Sequence, residues 1–149
     1  MIKTIRTIRA YVIAFQAHYG QVDKAGKPYI NHPLAVADKM TTEASTCAAL
    51  LHDVLEDALP DKYLAKIEKS MLSDVVEAVK LLTRDKDVGY MDYIKKLADN
   101  PIAREVKIAD LEHNMDLSRL DGKPDKLKSV KIDRYKKAHK YLVSRRETH

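Results

Sequence analysis

Four ionisable side chains, His52, Asp53, Glu56 and Asp57, stand within six positions of an otherwise apolar run, residues 48–57 reading AALLHDVLED. Residues three and four apart share a helix face, so His52 is expected above Glu56, and Asp53 beside both Glu56 and Asp57. Burying three carboxylates and an imidazole together costs several kcal/mol per uncompensated charge, which a domain of ordinary stability cannot carry without a counter-ion. A divalent metal ion is the compact remedy; the alternative is a solvated acidic helix end. Adjacent side chains point about 100° apart on an ideal helix. One ion therefore takes His52 and Asp53 only from the seam between them, and needs further ligands from other helices.

Two residues elsewhere answer that need. His32 follows a loop at 20–31, GQVDKAGKPYIN, whose glycines and Pro28 interrupt regular structure and whose Lys24 and Lys27 add positive charge. Because it precedes Pro33, His32 is biased away from the α conformation, and Pro33 suits the first position of the next helix. An imidazole at a fixed helix entry is well placed to be aimed. Further on, Val106, Ala109, Asp110, His113, Asn114 and Leu117 follow helical spacing, which sets Asp110 on an apolar inward stripe with Asn114 one turn away. Two imidazoles and two carboxylates make a mixed nitrogen and oxygen site, suited to manganese, iron or zinc rather than to thiolate zinc or all-oxygen calcium. An ion in such a site with an open position acidifies a water and neutralises a phosphate oxygen, while a nearby carboxylate accepts the water's proton. Glu56 and Asp57, one turn beyond the ligands, are where that carboxylate belongs.

The elements that must position these groups read as helices almost throughout. With 149 residues, four Gly, five Pro and no Trp, the expectation is one all-α domain with a proper core. Ile5, Ile8, Val12, Phe15 and Tyr19 make one apolar stripe on a first helix, read as a packing face and stopped by Gly20. His18, near its end, is expected to interact with the terminal carbonyls. A short second helix carries Leu34 to Met40, and Thr41 or Thr42 with Glu43 begins the third, which holds the central stretch. Pro60 starts another element; Leu64, Ile67 and Met71, then Leu72 to Leu82, give two amphipathic scaffold helices, with Arg84 at the exit within possible reach of a phosphate. Gly89 begins the next, Asn100 and Pro101 cap and start the helix of Asp110, and a turn at 121–124 precedes a basic final helix whose charged face reads as solvated. The single cysteine, Cys47, excludes an intramolecular disulfide and reads as a small buried hydrophobe. No run approaches the ~20 apolar residues of a membrane span or resembles a secretory signal, so a cytoplasmic protein without a membrane partner is expected. A net charge of +5 favours anionic partners in general.

Three ordered motifs, HYGQVDKAGKPYINHP, ALLHDVLED and VKIADLEHNMD, resemble those of the HD-superfamily hydrolase domain of RelA/SpoT proteins and their small single-domain relatives, from about Phe15 to Leu120. The resemblance implies a single-domain all-α HD helical bundle and a manganese-dependent removal of pyrophosphate from the 3′ position of (p)ppGpp, giving GDP or GTP. By motif position it makes His32, His52, Asp53 and Asp110 metal ligands, and Glu56 and Asp57 the acids handling the attacking water. It also places Lys24 in a nucleotide loop and gives Asn114 a part in positioning the phosphorylated nucleotide substrate. The chain departs from the family at Asp23, where an arginine covering the guanine is common, at Ala25 for a serine, at Leu111 for an arginine and at Leu117 for a threonine. An acid replacing a cation beside a polyphosphate is unfavourable, which motivates a rival substrate: another phosphorylated nucleotide or a nicotinamide dinucleotide phosphate. A non-catalytic nucleotide-binding module has no need of both Glu56 and Asp57. A basic nucleic-acid binder leaves the His-Asp stretch unexplained.

Overall fold

The structure is a computed structural model that describes residues 1–56, 59–120 and 126–147, with the side chains of 117–120, 126–128 and 147 left aside. Asp57 lies outside the described residues, as do the turn at 121–124 and the side chain of Leu117. The chain runs through α1 (Ile5–Ala17), α2 (Asn31–Asp38), α3 (Glu43–Leu51), a 3-10 turn (Val54–Glu56), α4 (Pro60–Ser70), α5 (Ser73–Leu82), α6 (Tyr90–Leu97), α7 (Pro101–Leu120) and α8 (Lys126–Glu147). Among the described residues the extended structure is one isolated bridge, Val22 to Pro28.

The bundle is built around α3. Its Cys47, Ala48, Ala49, Leu50 and Leu51 are all buried, so this helix is apolar on every side and is enclosed by α1, α2, α5 and α7. Thr42 caps it as the sequence implies, its hydroxyl accepting from the Ser45 N–H at 3.1 Å. Cys47 is the buried hydrophobe expected, its thiol pushed up to about 11 by burial. At α7, the Asn100 carboxamide accepts from the Ala103 N–H at 2.9 Å and Pro101 opens the helix. Across α7 lies α8, which buries Ala138 and Leu142 and is tied down by ion pairs from Arg145 to Asp99 and from Arg146 to Glu105.

Two local expectations are corrected. In α2 the helix begins at Asn31, two residues before Pro33, so His32 is itself helical. Pro33 is tolerated there because the first four N–H groups of a helix lack intrahelical partners, and its missing donor goes unneeded. In α1 the packing face is reversed: Ile5, Ile8, Val12, Phe15 and Tyr19 are exposed, Ile5 by 70%, while Thr7, Ala10, Ile13 and Ala14 face the core. Ala10 and Ala14, fully buried one turn apart, let α1 approach α3 closely, which the larger stripe would prevent.

This inversion sets an expectation for stability. Replacing Ile13 by Ala should cost about 2–4 kcal/mol in chemical denaturation, whereas Ile8→Ser should stay within about 0.5 kcal/mol of the parent. Equal losses for the two would mean that the stripe is buried after all.

Candidate metal centre

The centre is assembled where helical geometry gives out. The helix α3 ends at Leu51, His52 is its C-terminal cap, and the chain passes through a turn into the 3-10 segment. The stacking of His52 over Glu56 expected of a continuous helix is therefore absent, and the carboxylate of Glu56 instead accepts from the backbone N–H of Arg84 at 3.1 Å. The break has a use. It swings Asp53 back so that its Oδ2 lies 3.2 Å from His52 Nε2, closing the divergence an ideal helix would impose.

Two more elements converge on the same point. From the first turn of α2, His32 Nε2 lies 3.8 Å from Asp53 Oδ2; from the middle of α7, Asp110 Oδ1 lies 2.8 Å from His32 Nε2 and 3.4 Å from His52 Nε2. His32, His52 and Asp110 are buried, and Asp53 is partly so. The His52 Nδ1 is committed to the Ala49 carbonyl at 2.6 Å, while its buried Nε2 has no hydrogen-bond partner. An imidazole held from behind, with its other nitrogen facing two carboxylates and a second imidazole, fits a divalent ion better than it fits a core. The ligand atoms of His32, His52 and Asp53 lie within 4.8 Å of one another, close enough for one ion.

Electrostatics follow from this crowding. Burial would push the His52 imidazolium down, but Asp53 and Asp110 outweigh it and raise it well above the ordinary 6.5. Burial raises Asp53, and the neighbouring His52 reverses that, lowering it from 3.8 to about 2. Asp110, opposed in the same way by burial, is held well below the usual carboxylate range by Lys107 and His52. Partial desolvation shifts Glu56 upward, Asp53 adding to it, against the hydrogen bond from Arg84. Burial and the neighbouring His32 lower His113.

Several supporting residues escaped the sequence reading. Tyr29 donates its hydroxyl to Asp53 Oδ2, Lys107 Nζ donates to Asp110 Oδ2 at 2.9 Å, and His113 Nδ1 lies 2.7 Å from His32 Nδ1. Positions 107, 110, 113 and 114 are three and four apart, so their common face on α7 was available from spacing alone. Asn114 Nδ2 donates to Asp110 Oδ1 at 3.1 Å, which makes it a neighbour of the centre. Lys24 stands exposed on the turn at 23–27, outside the cluster. His18 is buried against the Tyr29 ring, with Nδ1 3.1 Å from Gln21 Oε1.

The departures from the family motifs take on a different meaning here. The Asp23 carboxylate accepts from the N–H groups of Ala25 and Lys27 at 2.9 and 3.0 Å, tying its own turn together. Leu111 is fully buried in the core, on the side of α7 away from solvent. Asp23 therefore spends its charge on the turn, and Leu111 fills the core.

An all-helical bundle that gathers His and Asp side chains from three elements defines a class, and the family model described as HD domain matches residues 10–113. The chain belongs to the HD domain family. It is 37% identical over 128 residues to the bifunctional (p)ppGpp synthase/hydrolase SpoT of Escherichia coli K12, covering 76% of this chain and 18% of SpoT. It is 36% identical over 109 residues to the mouse guanosine-3′,5′-bis(diphosphate) 3′-pyrophosphohydrolase MESH1, covering 65% of this chain and 60% of MESH1. A Myxococcus xanthus GTP pyrophosphokinase is 33% identical over 123 residues, which are 72% of this chain and 16% of that protein. The chain thus spans under a fifth of the length of its bacterial relatives here and about three fifths of MESH1. Among the described residues, no helix is long and apolar enough to cross a membrane.

These charges set a pH profile for protein kept in chelator. Asp53 and Asp110, depressed in the fold, contribute fully above the ordinary carboxylate value of 3.8 and lose that contribution as pH falls through their folded values. His52, raised in the fold, contributes fully below 6.5 and loses that contribution as pH rises towards its folded value. The melting temperature should peak between about pH 4.5 and 6.5 and decline on both sides. Saturating divalent metal should extend the plateau upward, since the ion takes the place of the proton. A flat profile in chelator would contradict this balance of charges.

Proposed function

We propose that residues 1–149 form one hydrolase domain that removes pyrophosphate from the 3′ position of guanosine polyphosphates, (p)ppGpp, releasing GDP or GTP. His32, His52, Asp53 and Asp110 would hold one divalent ion, manganese in this reading. The observation that carries it is the convergence of these four groups from α2, the end of α3 and α7, with the His52 Nε2 buried and lacking a hydrogen-bond partner. A bound ion supplies charge neutralisation for a phosphate oxygen and acidification of a water.

The chain's own residues do the rest. Glu56, exposed just beyond the two ligands and shifted upward from the ordinary carboxylate value by partial desolvation, accepts the proton of the attacking water, with Asp57 beside it in sequence. Lys107 and Asn114 hold the two oxygens of Asp110 in place. Tyr29 does the same for Asp53 and couples the loop at 20–31, which carries Lys24, to the centre. Lys24 then meets the substrate's phosphates, and Asn114 lies where a ribose or phosphate group would approach. The kinship with SpoT, a (p)ppGpp synthase/hydrolase, and with MESH1, a guanosine-3′,5′-bis(diphosphate) 3′-pyrophosphohydrolase, favours the guanosine substrate. Asp23 caps its own turn and Leu111 fills the core, so both departures have a structural use apart from the choice of nucleotide. A cytoplasmic location suits a nucleotide of this kind.

Purified protein with manganese should release pyrophosphate from (p)ppGpp at least ~10-fold faster than phosphate or pyrophosphate from adenine analogues or nicotinamide dinucleotide phosphate. Glu56→Gln should lower kcat by about 10²–10⁴ with metal content unchanged. Asp110→Ala should lose both metal and activity. Faster turnover of an adenine nucleotide would overturn the substrate, and full activity of Glu56→Gln would overturn the role of the acid.

A further inference from the structure

The two imidazoles of the centre are held from behind in different ways. His52 leans its Nδ1 on the Ala49 carbonyl, a backbone acceptor supplied by its own helix. His32 sits in the first turn of α2, and its Nδ1 meets another side chain, His113, across 2.7 Å. The two rings have centroids 4.9 Å apart and planes inclined by 27°. That separation is filled by the nitrogen-to-nitrogen contact plus the two ring radii, so the rings meet edge to edge rather than face to face. One proton lies between the two Nδ1 atoms, and the contact is a hydrogen bond.

Its direction follows from the other nitrogen. For His32 Nε2 to give a lone pair to an ion, its ring proton must sit on Nδ1, and the group facing Nδ1 must accept. With an ion in place of the proton that His32 Nε2 otherwise donates to Asp110 Oδ1 at 2.8 Å, His113 is then a neutral imidazole with a bare Nδ1 and its own proton on Nε2. We infer that His113 is the positioning residue that fixes the tautomer and aim of His32, making it part of the metal centre though it touches no ion. The inference rests on the metal-binding reading given above and assigns a role to a residue which that reading leaves unused. The geometry on α7 supports it independently: His113 lies three residues after Asp110, so one helix delivers both a candidate ligand and the partner of another. His113 is half-buried, and its ring packs on no other aromatic group besides His32 among the described contacts.

The test uses the isosteric pair His113→Asn and His113→Leu. The Asn oxygen stands near the place of Nδ1 and accepts; the Leu methyl groups fill the same space and do not. Affinity for manganese is read by competition with a chelator, and each metal-free variant is melted to check its fold. His113→Leu should bind manganese about 10–100-fold more weakly, and His113→Asn should recover most of that loss. Independently of any variant, nitrogen-15 imidazole spectra of the zinc-loaded parent should show the His32 proton on Nδ1 and the His113 proton on Nε2. Parent-like affinity in His113→Leu, or a His113 proton on Nδ1 in the zinc-loaded protein, would overturn the inference. If the parent binds neither manganese nor zinc, the centre itself falls and this inference with it; parent binding with an unaffected Leu variant sinks the inference alone.

Discussion

Adjacent side chains on an α-helix diverge, and a site needing both must break the helix. This constraint governs the region around His52 and Asp53. The central helix is apolar on every side and ends one residue before the imidazole. The turn that follows brings His52 Nε2 and Asp53 Oδ2 to 3.2 Å, and the 3-10 segment beyond sends Glu56 to the outer wall, where the Arg84 backbone holds it. A longer α3 would have put His52 and Glu56 on one face and left Asp53 facing elsewhere.

The surrounding helices compensate for the charge that this break concentrates. Asp110 reaches in from α7 with Lys107 one turn before it and Asn114 one turn after, so each of its oxygens is engaged. Tyr29 performs the corresponding task for Asp53 from the loop, linking a surface turn to the buried centre. Such a network is costly to leave half-built, because each unpaired buried polar group carries its full desolvation penalty. It therefore ties together the relative placement of α2, α3 and α7, the elements whose packing also makes the core. In this member of the HD domain family the network sets the orientation of the groups expected to hold an ion.

The outer face of α1 belongs to a different balance. Large apolar side chains at Ile5, Ile8 and Phe15 are left in solvent while alanines face α3. Close approach of two backbones gains contacts along the whole helix, and here it outweighs the burial of a few larger side chains. Hydrophobic periodicity finds a stripe; it does not say which of two candidate stripes the neighbouring helix can accommodate.

Much of the architecture was legible in residue order. The caps at Thr42 and Asn100, the helices started by Pro60 and Pro101 and the buried Cys47 follow from local rules: capping chemistry, proline geometry and helical spacing act over a few residues. The grouping of His32, His52, Asp53 and Asp110 was expected from the chemistry a mixed nitrogen and oxygen site needs and from the three motifs, not from any one segment. Tertiary structure alone decided where α3 stops, which face of α1 is inward, that Leu111 belongs to the core and that Asp23 serves its own turn. It also decided the pairing of His113 with His32, eighty-one residues apart in the chain. Those outcomes depend on distances between segments remote in sequence, and on which competing contact gains more when the segments pack, neither of which a single segment encodes.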